Sequence, residues 1–252
     1  MSPPPLYRNE ADPVHWLGDT PMLNLTDDKL RLRVKTVIQF SRTDAERLQS
    51  IAHYVAGIPF NVPAFASMKR TRQTLNRRHA VGWYSKAALF MAMLRVAGVP
   101  ARVRMIRVPR ALLHGLLNTR FRLELPVVEL WSRHRWVVTD CYLYDPPYVA
   151  AARKELAAKG WPMGYGIHSK GTTDWNGVDE ALVMIIPDRS RGKKPVQFRG
   201  VYNDPQAFLA QMRRDNFFDW WFTLMRNRMV SIRMNIAVRR LRRGKTTDEA
   251  CR

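Results

Sequence analysis

The segment from Trp83 to Ala97 places the strictest limit on how this chain can fold. It is apolar along almost its whole length, and residues recur on it at the spacing of a buried helical face: Ala87, Phe90, Met91 and Leu94. Gly98-Val99-Pro100 follows at once, and glycine and proline end helices. The apolar segment Val99–Val108 comes next and suits a strand. The sequence therefore predicts a buried helix that turns directly into a strand.

Two further helices are predicted upstream. Thr26 can cap a helix that continues to Ile38. Thr43 and Glu46 have the spacing of a capping box, and we expect the helix that they begin to end at Gly57.

Two further strands are predicted downstream. Leu123–Trp131 and Arg135–Leu143 are rich in apolar and aromatic residues that favour strands. Ser132-Arg133-His134 lies between them and suits a hairpin connection. We therefore expect these two strands to pair antiparallel.

Residues 82–104 resemble the nucleophile helix of the transglutaminase-like, papain-related superfamily. In that family a helix opening Cys-x-x-Lys-Ala runs through an LLRxxGIPAR turn into the first strand of a small barrel. This chain has Lys86-Ala87 in the helix and Gly98-Val99-Pro100-Ala101-Arg102 at its exit. The resemblance covers roughly residues 15–150. It implies an α+β fold in which N-terminal helices pack on an antiparallel sheet, to which we add a C-terminal amphipathic helix.

The resemblance also locates the family's catalytic triad. The cysteine position falls on Trp83, and the His-x-x-x-Glu-Val and Trp-x-x-x-Asp patterns place the other two positions on Leu125 and Asp140. An indole cannot attack an acyl group and leucine cannot move a proton, so we expect no thiol-dependent transglutaminase or protease activity. Asp140 and Tyr84 are the catalytic candidates that remain. A tyrosine, with a pKa near ~10, needs strong activation for that role.

Cysteine content and apolar patterning limit the classes of protein to which this chain can belong. Cys141 and Cys251 are the two cysteines of this 252-residue chain, so a disulfide framework is excluded and a reducing cytoplasm is expected. The sequence has no uncharged apolar stretch of about 18 residues and begins without the apolar segment of a signal peptide. No cysteine and histidine cluster has the spacing of zinc ligands. We expect no metal and no cofactor.

The charge of the chain predicts an anionic partner. The net charge is +21, and from Arg47 to Leu123 fourteen Lys and Arg residues occur without one Asp or Glu. A solvated surface normally mixes both signs, so an anionic small molecule or an acidic carrier protein explains the run better. Nucleic acid is an alternative without a recognisable motif, and a solvated surface is another. The candidate anion-binding residues are Arg77, Arg78, Lys86, Arg102 and Arg104, of which the last two share one face of a strand.

The C-terminal segment Asp215–Arg243 allows two interpretations. Its apolar residues recur every three or four positions, as at Ile232 and Ile236, and Met234, Val238 and Leu241 widen the stripe. The helix could pack on the core, or residues 218–243 could lie on a membrane surface. The predicted organisation is a lead-in at 1–18, a transglutaminase-like core at 19–150, a loop-rich extension at 151–212, and a basic amphipathic helix with its tail at 213–252.

Two functional hypotheses follow from the sequence. In the first, the chain is a repurposed non-thiol enzyme of small-molecule biosynthesis that positions an anionic or carrier-linked substrate for acyl, amide, cyclisation or isomerisation chemistry. In the second, it is a pseudoenzyme that binds an acidic partner. An open polar cleft would favour the enzyme, whereas a Trp83 side chain that fills the site would favour the binding module.

Overall fold

The fold is of the α+β class, as the sequence predicted, with helices packed on an antiparallel sheet. The computed structural model describes residues 12–62, 71–75, 81–117, 123–184, 197–215 and 231–244. The helices are α1 (Asp28–Ile38), α2 (Asp44–Ala56), α3 (Thr71–Leu75), α4 (Trp83–Val96), α5 (Pro146–Lys159), α6 (Pro205–Asp215) and α7, which includes residues 231–242. The strands are β1 (Ala101–Arg107), β2 (Glu124–Ser132), β3 (Arg135–Thr139), β4 (Met163–Gly164), β5 (Ile167–His168) and β6 (Gln197–Tyr202).

The two N-terminal helices begin with side-chain caps. The prediction that Thr26 caps α1 was wrong by one residue, because the carboxylate of Asp27 accepts the N–H of Leu30 at 3.1 Å. The capping box of α2 is confirmed: the side chains of Thr43 and Glu46 each accept the other residue's backbone N–H. Short-range sequence patterns therefore set where both helices begin.

Helix α4 is buried on every side. Each residue from Ala87 to Leu94 is 0% exposed. The helix contacts α1, α2 and α3 as well as strands β1 and β2. At its end the guanidinium of Arg95 donates to the carbonyl oxygens of Gly18, Ala101 and Asn203. These bonds join the helix to the start of β1, so the predicted turn from a buried helix into a strand is confirmed.

The larger sheet has four antiparallel strands in the order β3-β2-β1-β6. The predicted hairpin between β2 and β3 is confirmed: Ser132 pairs with Arg135, and Arg133 and His134 have φ values of 48° and 60°. Two residues with positive φ match the twist of antiparallel strands. Strand β3 ends at Thr139 rather than at the predicted Leu143, because the chain turns there.

The two faces of this sheet differ in chemistry. Ala101, Val103 and Met105 alternate along one face of β1 and are 0% exposed. The other face carries Arg102 directly opposite Glu129 in the register of β1 and β2. The next residue on that face of β1, Arg104, pairs with the same glutamate. The prediction that the two arginines share a face is therefore confirmed.

Helix α5 lies across the boundary that the sequence predicted between the core and a loop-rich extension. Asp145 caps it by accepting the N–H of Tyr148 at 3.2 Å, and two prolines form its first turn. Gly160 ends it in the left-handed region, at φ 61°. Proline at the start and glycine after the end are helix signals, but the sequence prediction had only a loop-rich extension at 151–212. A core that ends at residue 150 would divide this helix.

Helix α7 packs on the core, which is the first of the two interpretations of the C-terminal segment. Met234, Val238 and Leu241 are buried. Ile232 and Ile236 are 52% and 46% exposed, so the prediction that they belong to the packed stripe was wrong. The earlier part of the stripe, at 218–229, lies outside the described residues. Within the described ranges, no helix has both the length and the apolarity needed to cross a membrane.

Candidate functional site

Trp83 is the first residue of α4, where the resemblance places the nucleophile. Val81, two residues before Trp83, forms a bridge with Phe60, which brings the segment that follows α2 against the start of α4. The indole is 4% exposed, and its Nε1 donates to the hydroxyl of Tyr144 at 2.9 Å. A buried, hydrogen-bonded indole therefore occupies the position that the resemblance assigns to the nucleophile.

The indole belongs to an aromatic cluster formed by Phe60, Trp83, Tyr144 and Tyr148. The ring of Phe60 lies 5.1 Å from Trp83, 4.8 Å from Tyr144 and 5.3 Å from Tyr148 between centroids. Tyr144 and Tyr148 stack at 5.2 Å. Aromatic pairs at such distances contribute about 0.5–1.5 kcal/mol each beyond the area that they bury. The start of α4 is thus closely packed rather than open to a polar cleft.

Tyr84, a catalytic candidate, makes a structural contact. Its hydroxyl donates to the carbonyl oxygen of Glu124 at 2.8 Å, and so joins α4 to the start of β2. Burial, and then the negative charge of Glu124, raise the pKa of the Tyr84 hydroxyl well above its ordinary value. A phenol of this kind supplies neither a phenolate nor a proton near neutral pH.

Asp140, the other candidate, has its carboxylate bound to backbone. It is 0% exposed and accepts the N–H groups of Val183 and Met184, the second at 2.9 Å. Burial raises the pKa of Asp140 to about 7, and the backbone hydrogen bonds oppose that change. Leu125 is also buried, and no hydrogen bond or aromatic pair among the described residues joins Trp83, Leu125 and Asp140 directly. The three positions do not form a hydrogen-bonded triad.

Lys86 lies inside the core rather than on a surface open to an anion. It is 0% exposed, and its Nζ donates to the carbonyl oxygens of Ala56 at 3.2 Å and Tyr142 at 3.4 Å. Burial lowers the pKa of Lys86 to about 7; the nearby Asp145 raises it and Arg242 lowers it. Its assignment to an anion-binding surface therefore does not fit this structure.

The two arginines of β1 share an internal partner. Arg102 donates from Nε to Glu129 at 2.6 Å, and the side chains are 4% and 0% exposed. Arg104 pairs with the same carboxylate but is 37% exposed. Glu129 thus neutralises much of the charge predicted here, and of the two only Arg104 reaches solvent. Arg77 and Arg78 lie outside the described residues.

Asp145 joins three elements next to the aromatic cluster, and the sequence did not single it out. Besides capping α5, its carboxylate accepts the N–H of Phe60 at 2.6 Å. It also accepts two hydrogen bonds from the guanidinium of Arg242 on α7, at 3.0 and 2.6 Å. A bidentate pair of this kind fixes orientation as well as distance. An Asp directly before Pro146-Pro147 was the available cap signal, whereas Arg242 has no distinguishing pattern.

The described residues show no thiolate or metal centre. Cys141 is buried, which raises the pKa of its thiol to about 12, and its Sγ lies 3.1 Å from the hydroxyl of Thr139. A thiol with this pKa carries almost no thiolate at neutral pH. Among the described residues, no group of three or more His, Cys, Asp or Glu side chains could hold a metal ion.

Comparison with known proteins agrees with the family that the helix and sheet suggest. Residues 33–143 match the family model of the transglutaminase-like superfamily, a span that runs from α1 through α4 to just beyond β3. No curated protein matches the chain significantly. A solved structure of a candidate cysteine protease from Cytophaga hutchinsonii aligns with a TM-score of 0.42 and 16% sequence identity, over 53% of this chain and 43% of that one. The chain thus spans less than half the length of that protein. Residues 33–143 form a transglutaminase-like domain.

Proposed function

We propose that this chain is a catalytically inactive transglutaminase-like protein that acts as a binding module for an anionic partner. The observation that carries the proposal is the environment of Trp83: its indole is buried, bonded to Tyr144 and packed on Phe60 at the start of α4. Acyl transfer at that position needs a thiolate and room for a substrate. Neither is provided there.

The same region gives less support to the alternative hypothesis that the chain is a non-thiol biosynthetic enzyme. The hydroxyl of Tyr84 and the carboxylate of Asp140 both bond to backbone groups of this chain. A catalytic acid or base must instead lie within hydrogen-bond reach of a substrate proton. Using either residue for chemistry would require breaking bonds that hold α4 or the end of β3 in place.

The anionic partner is supported by charge that remains on the surface. Residues 231–244 of α7 include no acidic residue, and they expose Arg233, Arg239, Arg240 and Arg243. Such one-sided charge attracts anions and is screened over about 8 Å at physiological salt. Binding of the partner should therefore weaken as the salt concentration rises.

Catalysis is tested by incubating the full chain with a glutamine-containing protein and a fluorescent primary amine, and separately with a chromogenic ester. We expect no amine incorporation and no ester turnover above a protein-free control. Trp83→Cys should stay inactive, because Leu125 and Asp140 supply no histidine base. Thiol-alkylating reagents should find no reactive site at Cys141 in the folded protein.

A different result would identify a different mechanism. Turnover by the wild type that Cys141→Ala removes, with the circular dichroism spectrum unchanged, would show a thiol mechanism at a new position. Cys251→Ala is the matched control, since that residue lies next to the end of the chain. Turnover that survives both changes but is lost in Tyr84→Phe would favour the non-thiol enzyme and contradict the binding module.

A further inference from the structure

A cavity of about 510 Å³ lies between the end of α5, residues 115–117 and α7. It is distinct from the aromatic cluster at Trp83, although Tyr165 connects the two: its side chain lines the cavity, and its carbonyl oxygen accepts the hydroxyl of Tyr148 at 2.6 Å. Cavities of roughly 300–1,000 Å³ accommodate small-molecule ligands. The size therefore suits a metabolite rather than a macromolecule.

One wall of the cavity is aromatic and carries a cation. Trp161 and Tyr165 stack with an interplanar angle of 25° and centroids 6.4 Å apart. The Nζ of Lys159 lies 4.9 Å from the centroid of Trp161. Tyr165 is 2% exposed, and its hydroxyl has no hydrogen-bond partner among the described residues. A buried hydroxyl usually has a partner, so this wall offers an unused polar atom beside a flat apolar surface.

The backbone holds the Tyr165 ring in place. Tyr165 has φ 53°, a conformation that is uncommon for a bulky residue, and its N–H donates to the carbonyl oxygen of His114 at 2.7 Å. The ring lies so close to Gly115 that a Cβ built there would come within 2.3 Å of it. Gly115 itself has φ 79°. Surrounding contacts thus maintain the strained residue, and the shape of the cavity is largely fixed before any ligand arrives.

The charges around the cavity favour an anion. Among the described residues, its lining includes the cations Lys159, Arg233 and Arg240 and one acid, Glu155. The carboxylate of Glu155 lies 4.0 Å from the Nζ of Lys159, so it offsets that cation and leaves the two arginines of α7. Ile236, which is 46% exposed, lies between these arginines along the helix and adds apolar surface. Apolar walls and uncompensated guanidinium groups therefore occur in one cavity.

We infer that this cavity binds a small amphiphilic anion, with a flat or acyl apolar body against Trp161 and Tyr165 and a phosphate or carboxylate group toward Arg233 and Arg240. This inference rests on the binding function proposed above, for which it names a site and a ligand class. The planar guanidinium groups suit the two-oxygen edge of either anion.

The test titrates the full chain with 1-naphthyl phosphate, 1-naphthoate, neutral 1-naphthol and inorganic phosphate by calorimetry at constant salt. We expect at least one naphthyl anion to bind one per chain, at least tenfold more tightly than 1-naphthol or inorganic phosphate. The two anions distinguish a phosphate ligand from a carboxylate ligand. The double variant Arg233→Gln, Arg240→Gln should weaken anion binding at least tenfold. Arg239→Gln, Arg243→Gln is the matched control and should change it less than twofold, because neither residue lines the cavity.

Several outcomes would overturn the inference. Absence of binding by both naphthyl anions would do so, as would equal binding by 1-naphthol or inorganic phosphate. So would an equal loss in the matched control, because the arginines would then act only through net charge. Both double variants should retain the wild-type melting temperature, which separates loss of the site from loss of the fold. Failure here leaves the inactive start of α4 untouched, whereas turnover in the catalytic assays would overturn the proposed function without bearing on this cavity.

Discussion

The tryptophan at the start of α4 has a structural role. Trp83 provides a large apolar surface and one N–H donor, and the structure uses both: the ring packs on Phe60 and the N–H bonds to Tyr144. Loss of a buried tryptophan ring typically costs about 3–5 kcal/mol of stability. Trp83 is therefore a core residue of the domain.

Lys86, one turn further along α4, gives a pH-dependent prediction. In the unfolded chain a lysine holds its proton to about pH 10.5, whereas burial lowers the pKa of Lys86 to about 7 in the folded state. Between these values the unfolded state binds more protons, so the free energy of unfolding should rise with pH. One proton contributes at most about 1.4 kcal/mol per pH unit. Below pH 7 Lys86 is protonated in both the folded and the unfolded state, and burial of its charge then destabilises the fold by the full amount.

Urea denaturation between pH 7 and pH 9 measures this effect. In Lys86→Met, we expect the free energy of unfolding to rise less with pH than it does in the wild type. The stability of Lys86→Met relative to the wild type should therefore be greater at pH 7 than at pH 9. Lys154→Met is the matched control, because Lys154 is exposed on α5. An identical pH dependence in the wild type and Lys86→Met would show that Lys86 keeps its proton in the fold.

At the scale of elements, α7 is joined to the core by polar contacts as well as by its apolar stripe. Arg242 forms the bidentate pair with Asp145, and the amide of Asn235 bonds to both the N–H and the carbonyl of Val62. Asp145 also holds Phe60, a member of the aromatic cluster. The packing around Trp83 thus depends on a helix that lies outside the family match of 33–143.

Removing Arg242 should loosen α7 and leave the sheet unchanged. The change leaves the buried Asp145 carboxylate without its charged partner, and loss of one member of such a pair costs about 3–5 kcal/mol when the pair is fully buried. Arg242 is 29% exposed, so we expect a smaller loss, of about 1–2 kcal/mol. Hydrogen exchange in Arg242→Met should speed up in 231–242 and near Phe60. Arg243→Met should match the wild type; equal exchange in both variants would contradict the docking role of Arg242.

Local patterns predicted some elements well and others poorly. The capping box at Thr43 and the hairpin at Arg133-His134 depend on neighbouring residues, and both were found where the sequence placed them. Helix α5 was missed because Pro146 and Pro147 occur in both loops and first helical turns. The predicted stripe of α7 included both Ile236 and Met234, and only Met234 is buried, since in a broad apolar stripe the packing on the core decides which edge is buried.

At the scale of the whole molecule, the fourteen Lys and Arg residues between Arg47 and Leu123 overstate the positive charge available to a partner. Arg102 is neutralised by Glu129, and Lys86 is buried among carbonyl groups. The sequence correctly placed Lys86 on a helix and Arg102 on a strand, but it did not show which groups their side chains contact. Glu129 lies 27 residues beyond Arg102 along the chain, and only the strand register brings them together. The prediction that Trp83 lies at the start of the helix needed only the pattern within one helix, and it is confirmed.

The Trp83 indole fills the start of α4 and donates a hydrogen bond to Tyr144. A double-mutant cycle tests this arrangement most directly. The free energy of unfolding is measured by urea denaturation for the wild type, Trp83→Phe, Tyr144→Phe and the double variant. Both changes keep an aromatic ring and remove one partner of the 2.9 Å hydrogen bond, and the cycle subtracts the loss of ring volume that Trp83→Phe causes in both backgrounds. We predict a favourable coupling of about 1 kcal/mol. Losses that add to within about 0.3 kcal/mol would show that the two side chains do not interact, and would contradict a site closed by Trp83.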